Sequence, residues 1–438
     1  MIKTLKFGGT SVGSAANMRR VAEIIVSEGA RLTVLSAMSG TTDALVKISA
    51  AIRTGDSDTV HATIGMLRDK YSTCIEELLT ANRTAALDRM EDALATVANE
   101  ALTYRGELSD KRILAQGELL TSAIFCLHMQ EAGHRAVLLS SPEFMHTDPE
   151  GKPDTAKLNR ELTRLVAEGD PGVYYIAQGF ICTDAEGHLS NLGRGGSDYS
   201  AALMGVAIVS DEVQIWTDID GMHNNDPRVV DRTFPIRRMS FDEAAELAYF
   251  GAKILHPATI QPCKEAGISV RLKNSMEPQA EGTLISDAEE NAMDFHAIAA
   301  KDGITVVRIA SARMLMAYGF LRKVFEVFEK YRTPVDMITT SEVEVSLTID
   351  STCRLDDIIR ELSPFGSVEV DRDNTIVCIV GCIGYQHVGL AARIFDGVKE
   401  VPIKMISYGA NHRSMAILVA TEHKKQTLQA LNDHLFPA

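Results

Sequence analysis

Short apolar runs alternate with helical stretches through the first 275 or so residues. LTVLSAM (32–38), HRAVLLSS (134–141), GVYYIAQGFI (172–181), VQIWTDI (213–219) and ISVRLKN (268–274) are rich in the branched and aromatic residues that favour strands. Helical patterns lie over 15–28, 60–80, 85–104, 111–132, 155–168 and 240–250. Strand–helix alternation of this kind predicts a mainly parallel sheet with helices on both faces. DPEGKPD (148–154) and TDAEGH (183–188) read as turns.

Over 275–295 the chain turns acidic and polar, which places a domain boundary there. Beyond it an order repeats: strand, helix, strand, strand, helix, strand. One copy runs ITVVRIAS, 318–331, PVDMITTS, VEVSLTID, 354–363 and GSVEVDR. A second runs TIVCIVG, 387–396, VPIKMISYGA, SMAILVAT and 422–434, and lacks its fourth strand. The stretch FHAIAA (295–300) is available to fill that slot, which would insert one repeat within the other.

At 438 residues the chain exceeds the roughly 100–200 residues of one ordinary domain. Its net charge of −15 excludes nucleic acid as a main partner, since phosphate backbones call for a basic face. A site for anionic substrates must therefore gather its cations locally. No run approaches the ~20 apolar residues of a membrane helix, and MIKTLKFGGTSVG lacks a signal-peptide core, so the expected compartment is the cytoplasm. Seven dispersed cysteines (74, 126, 182, 263, 353, 378 and 382) read as small core residues rather than a disulfide framework or a zinc site.

Five stretches carry candidate chemistry. KFGGTSVGS (Lys6–Ser14) follows strand formers and precedes a helix, so its glycines and Lys6 suit a phosphate, or simply form a turn. It is neither a Walker loop nor a G-x-G-x-x-G fingerprint. GRGGSDY (193–199) also precedes a helix. Arg194 offers a fork for a carboxylate or phosphate, and Asp198 is either functional or a cap. WTDIDG…NNDPRVV (216–230) follows a strand, and its Asp218, Asp226 and Arg228 serve either a nucleotide or a turn. FGAKILHP (250–257) carries Lys253 near a helix end, where a lysine commonly pairs with the dipole. AQGEL (115–119) sits in a helix, and taken alone Glu118 reads as a surface residue.

As an ordered set, KFGGTSV, QGE, GRGGSDY, WTD…DPR and FGAKILHP resemble the aspartokinase family nearly end to end. The resemblance implies a carbamate kinase-like three-layer α/β sandwich with a mainly parallel sheet over 1–290. It implies two ferredoxin-like ACT domains after it, one over 303–372 inserted in another built from 295–300 and 374–438. It further implies ATP-dependent phosphorylation of the side-chain carboxylate of L-aspartate, with Mg²⁺ carried by the ATP and no protein metal ligands. By the same resemblance Lys6, Gly8 and Gly9 hold the transferring phosphoryl group, and Ser36 and Thr42 line the aspartate pocket. Glu118 faces the substrate ammonium, Arg194 grips a carboxylate and Asp198 orients the reacting groups or the lysine. Thr217, Asp218, His223, Arg228 and Lys253 surround the nucleotide. His223 stands where similar members often have tyrosine.

The stretches MLMAYGFL and VDMITTSEV resemble the effector-binding segments of lysine-inhibited members. Met314, Gly319, Phe320, Val335, Asp336, Ser341 and Glu342 would then line a site for an amino-acid effector, with Ala317 in place of a common serine. Paired ACT domains imply a homodimer. The rival readings are another amino-acid kinase, acting on glutamate or acetylglutamate, and a non-catalytic amino-acid-binding regulator.

Overall fold

A computed structural model describes residues 1–193, 195–251, 257–287, 294–311, 318–384 and 386–437. The chain forms two compact units. The first comprises 1–222, 237–241 and 255–289, and the second comprises 223–236, 242–254 and 290–438.

The first unit begins with β1 (Lys3–Phe7), α1 (Ala15–Glu28), β2 (Leu32–Leu35), α2 (Thr41–Thr54), α3 (Ser57–Leu78), α4 (Arg83–Leu102) and α5 (Glu107–Glu131). It continues through β3 (Ala136–Leu138), α6 (Ser141–Phe144), α7 (Thr155–Leu162), β4 (Tyr174–Gln178), β5 (Ile181–Thr183), β6 (Leu189–Asn191), α8 (Gly196–Ala207) and β7 (Glu212–Thr217). After β8 (Arg238–Ser240) and α9 (Phe241–Tyr249), which passes into the second unit, come α10 (Pro257–Ala266), β9 (Ser269–Asn274) and β10 (Thr283–Ser286).

Eight strands form one sheet in the order β3-β4-β2-β1-β7-β9-β10-β8. Every pairing in it is parallel except β9 with β10. Alternate residues of β1 show why both faces are covered. Leu5 and Phe7 enter the core that α1 to α5 build, whereas Thr4 lies against Gly205 of α8 and bonds to Ser210 at 2.8 Å. All four residues of β2 are buried, as in strands covered on both sides.

The registers fix where this sheet can act. Phe7 is level with Leu35 and Trp216, and Leu35 with Gln178. The C-terminal ends of β1, β2, β4 and β7 therefore open along one edge, where ligands of open α/β sheets bind.

The second unit holds β11 (Ala297–Ala310), α11 (Phe320–Lys330), β12 (Ile338–Thr340), β13 (Glu344–Ile349), α12 (Leu355–Leu362), β14 (Ser367–Val380), α13 (Leu390–Gly397), β15 (Met405–Tyr408), β16 (Ser414–Ala420) and α14 (Lys424–Leu435). One six-stranded antiparallel sheet runs β12-β13-β11-β14-β16-β15. Each half has the ferredoxin-like strand order, and each has its own core. The two halves share β11 and β14, 14 residues apiece. Residues 297–301 pair with 376–380 in one half, and 306–310 with 367–371 in the other. A shift of register between Lys301 and Val306 marks the junction.

Several local readings need amendment. The helix α2 carries an amphipathic pattern that the sequence analysis did not single out. The stretch 155–168 is helical only to Leu162 and then widens into a π turn over Thr163–Ala167. The domain read over 1–290 is interrupted twice, because 223–236 and 242–254 cluster with the second unit. The first of these has a physical reason: Val230 is buried in the core of α13 and α14, and Asn224 Nδ2 donates to Asn432 Oδ1 at 2.9 Å. Among the described residues no helix is long and apolar enough to cross a membrane. The seven cysteines are free, and five are buried.

Glu28, at the end of α1, accepts from Lys3 of β1 at 2.5 Å, Gln214 of β7 at 3.1 Å and Lys273 of β9 at 3.1 Å. Burial opposes its charge, but these donors outweigh it and draw its pKa down to about 2. A lowered carboxylate pKa stabilises the fold above the ordinary 4.5, and that stability is lost as pH falls towards about 2. Glu28→Gln is therefore expected to lower the melting temperature at pH 7, with the gap to wild type closing as the medium is acidified. A gap that stays constant down to acid would contradict this assignment.

Candidate active site

Five stretches of chain meet at the open ends of the parallel strands. β1 and the loop after it supply Lys6 and Gly9, and the loop after β2 supplies Ser36 to Gly40. Thr42 and Asp43 come from α2, Glu118 from α5, Phe180 from the end of β4, and Gly195 to Asp198 from the start of α8. They enclose a cavity of about 400 Å³. Lys6, Gly9, Ser36, Thr42, Glu118 and Asp198, six residues chosen from sequence, are brought together here.

The Lys6 ammonium lies 2.7 Å from Asp198 Oδ1, with both side chains mostly buried. Asp198 is thus the charge partner of Lys6 at the cavity wall and not the N-cap of α8. The N-cap of α8 is Gly195, which makes no side-chain capping bond. The N-cap of α2, Gly40, likewise makes none. Two helix N-termini without side-chain caps therefore border one cavity, each contributing partial positive charge. This is how a chain of net charge −15 assembles an anion-attracting site.

The two glycines of the first loop each have a place in the fold. The Gly8 N–H is already engaged by the Trp216 carbonyl at 3.2 Å. At Gly9 a Cβ would stand 2.8 Å from the Ala37 carbonyl oxygen, so the absence of a side chain lets the β1 and β2 loops cross. Ser39 then donates its N–H to the Gly9 carbonyl at 3.0 Å. Beneath the second loop, Tyr71 bridges the hydroxyls of Thr41 at 3.0 Å and Thr121 at 3.1 Å, and Thr121 accepts from the Met38 N–H at 3.0 Å.

Phe180 was not foreseen. Its φ of +68° is rare for a residue with a side chain. Its N–H donates to Ser200 Oγ at 3.0 Å, which holds the turn. Backbone strain fixed by its surroundings at a cavity wall is a recurrent mark of functional sites, but no local sequence signal announces it.

Glu118 overturns the surface reading given to it from sequence: it is only 4% exposed. Its Oε1 accepts the Ala37 N–H at 3.3 Å. Its Oε2 is buried without a hydrogen-bond partner among the described residues. Burial pushes its pKa up to about 7, opposed by the backbone donors and by Lys6. The neighbouring residues of α5 gave no clue, because the apolar cover comes from segments distant in sequence.

Thr217 ends β7, and its hydroxyl donates to Asp218 at 3.0 Å. His223 and Arg228 belong to the second unit. His223 Nδ1 is 3.3 Å from the Thr233 hydroxyl, and Arg228 pairs with Asp226 at 2.8 Å. Asp226 Oδ1 also accepts the Arg228 N–H at 2.9 Å, so Asp226 fits the turn-forming reading. In the same unit Gly319 caps α11 and Phe320 begins it. Val335 is half-buried, and Asp336 is 1% exposed at its side chain. Ser341 Oγ accepts the Glu344 N–H at 3.1 Å, and Glu342 is exposed. Arg194, Lys253 and Met314 lie outside the described residues.

The parallel sheet with its anion-attracting cavity, followed by a paired ferredoxin-like unit, defines the amino acid kinase class with appended ACT domains. The amino acid kinase family model matches residues 1–274, and an ACT domain model matches 377–435. Lysine-sensitive aspartokinase 3 of Escherichia coli is 34% identical over 446 residues, covering 98% of each chain. The chloroplastic aspartokinase 1 of Arabidopsis thaliana is 33% identical, covering 99% of this chain and 80% of that one. The crystal structure of E. coli aspartokinase III with aspartate and ADP, an R-state, matches with a TM-score of 0.86 over 100% of both chains. The same enzyme with lysine and aspartate, a T-state, gives 0.82 over 99% of both. Within the amino acid kinases, the chain belongs to the aspartokinase family.

A carboxyl pKa raised by folding adds stability below its ordinary 4.5 that is lost as pH climbs through about 7. In the ligand-free protein, Glu118→Gln should gain on wild type between pH 5 and pH 8, by up to about 3 kcal/mol. Chemical denaturation at both pH values measures it. Parallel pH dependence in the two proteins would show that Glu118 is already charged.

Proposed function

We propose that this chain transfers the γ-phosphoryl group of ATP to the side-chain carboxylate of L-aspartate, giving 4-phospho-L-aspartate, in the cytoplasm and under feedback inhibition by lysine. The observation that carries this reading is the Lys6–Asp198 pair facing Glu118 across one cavity at the strand ends. Family membership supports it, together with the aspartate and ADP bound by the E. coli relative.

The nucleophile is already a carboxylate, so no strong general base is required. The task is to hold two anions in line and to neutralise their charge. Lys6 supplies a point charge for the transferring phosphoryl group, and Asp198 keeps the ammonium in place. The N-terminus of α8 adds partial positive charge. Gly8 and Gly9 shape the loop beside the phosphates, while Ser36 and Thr42 contact aspartate. Glu118 Oε2, buried without a partner, takes the substrate ammonium, and Arg194 takes a carboxylate. Because the ammonium favours charged Glu118, aspartate binding near neutral pH releases a proton. Thr217, Asp218, His223, Arg228 and Lys253 serve the nucleotide.

Mg²⁺ fits this chemistry as a companion of the nucleotide. Asp198 is engaged by Lys6, and the one set of three clustered metal-ligand side chains among the described residues is Asp184, Glu186 and His188, on the β5–β6 turn. The phosphate oxygens would hold the ion, which supplies charge neutralisation when bound.

In the second unit, Met314, Gly319, Phe320, Val335, Asp336, Ser341 and Glu342 form the effector site. Asp336 and Glu342 meet the ammonium groups of lysine. The unit also mediates a homodimer, and exposed Ile338 on edge strand β12 supports a contact there.

The test is acyl-phosphate trapping with hydroxylamine. Protein supplied with Mg²⁺, ATP and aspartate should yield the hydroxamate, and glutamate should not replace aspartate. Lys6→Ala should lose at least about a thousandfold in turnover with its fold intact. Near-normal turnover by that variant, or no hydroxamate from wild type, would refute the reading.

A further inference from the structure

Asp336, the carboxylate assigned above to the effector, is not waiting empty. The Lys301 ammonium, from β11, lies 2.8 Å from Asp336 Oδ1 and 2.9 Å from Asp350 Oδ2. It also sits over the ring of Tyr249 in α9, 4.5 Å from the centroid. The Tyr249 hydroxyl donates to the same Asp336 oxygen at 2.6 Å. Two carboxylates and an aromatic face around one ammonium make a cage suited to a primary amine. Asp336 Oδ2 is buried and has no hydrogen-bond partner among the described residues, so the cage has unused acceptor capacity.

We infer that this cage is a primary-ammonium site held in cis by Lys301, and that a cationic amino-acid effector acts by exchanging its own ammonium for that of Lys301. The exchange rests on the effector reading above, whereas the cage rests only on geometry. Burial opposes the Lys301 charge, but bonds to Asp336 and Asp350 outweigh it and raise its pKa, as a well-matched cage should. A resident ammonium on the same chain competes at high effective concentration, so it sets the effector level at which the site responds.

The position gives exchange a consequence. Tyr249 is the last residue of α9, and two residues on, a Cβ at Gly251 would overlap the Ala300 carbonyl, next to Lys301 in sequence. The end of α9 and the start of Lys301's segment are thus packed backbone to backbone. An incoming ammonium that displaces Lys301 also disturbs the Tyr249–Asp336 bond, four residues before Lys253 in the sequence.

The experiment removes the resident ammonium and offers a free one. In Lys301→Ala, n-butylammonium chloride should raise the melting temperature by at least about 2 °C more than in wild type, with tetraethylammonium chloride as the ionic-strength control. Lys301→Met, which keeps the apolar stem, serves if the alanine variant does not fold, and it too should respond to methylammonium. In the same variants the lysine concentration for half-inhibition, each normalised to its own uninhibited rate, should fall about tenfold. Equal shifts in variant and wild type would overturn the cage, and an unchanged or higher half-inhibitory concentration would overturn the exchange. If wild type is not inhibited by lysine at all, the effector reading fails while the thermal-shift result on the cage still stands.

Discussion

The active-site chemistry depends on a matter of register. The parallel strands β1, β2, β4 and β7 end level with one another, and each therefore discharges its loop onto the same edge. A slip of one strand by one residue would turn its buried side chains to the opposite face and carry Lys6 or Ser36 away from the cavity. That register is held by burial on both faces: Leu5 and Phe7 lock one side, Thr4 and Val34 the other. Because the core fixes the strand ends so firmly, a site made largely of loop residues is nonetheless well defined. The strain at Phe180 and the crossing at Gly9 are sustained by the same rigidity.

Electrostatics within that frame is a local construction set against the molecule's overall charge. The net charge repels anions, and the described cavity wall contains one lysine, itself paired with Asp198. The deficit is met by the backbone, through the starts of α2 and α8, both capped by glycine in the left-handed conformation without a side-chain acceptor. A serine or aspartate at either N-cap would satisfy those amides in advance and reduce what they can offer an anion. Glu118 stands in the same wall as a carboxyl whose burial raises its pKa to about 7.

The alternating pattern of the first 275 residues was enough for the class of fold, and two glycine-rich stretches marked two walls of the cavity, whereas Ser36, Thr42 and Glu118 came only from the family resemblance. Period-2 burial and turn chemistry are local, so they are written locally. Glu118 and Phe180 were not legible, for a common reason. The burial of Glu118 is imposed by the loop after β2, and the φ of Phe180 by Ser200 on α8. In both cases the cause lies outside the window in which a pattern can be read. Lys301 and Tyr249 escaped notice likewise, since only the folded chain brings them to Asp336. The motif resemblance named Glu118 where residue-level reasoning dismissed it, because a family pattern carries long-range information that periodicity lacks.

The shared strands of the second unit have a mechanical meaning. Since β11 and β14 each run through both halves, there is no hinge or tether between the repeats in which a displacement could dissipate. A tug on the β12 side is transmitted along continuous peptide backbone, past the register shift at Lys301 to Val306, into the half that carries β16 and β15. The pair behaves as one plate with two faces to be loaded, and neither repeat could be excised without unravelling an edge of the other.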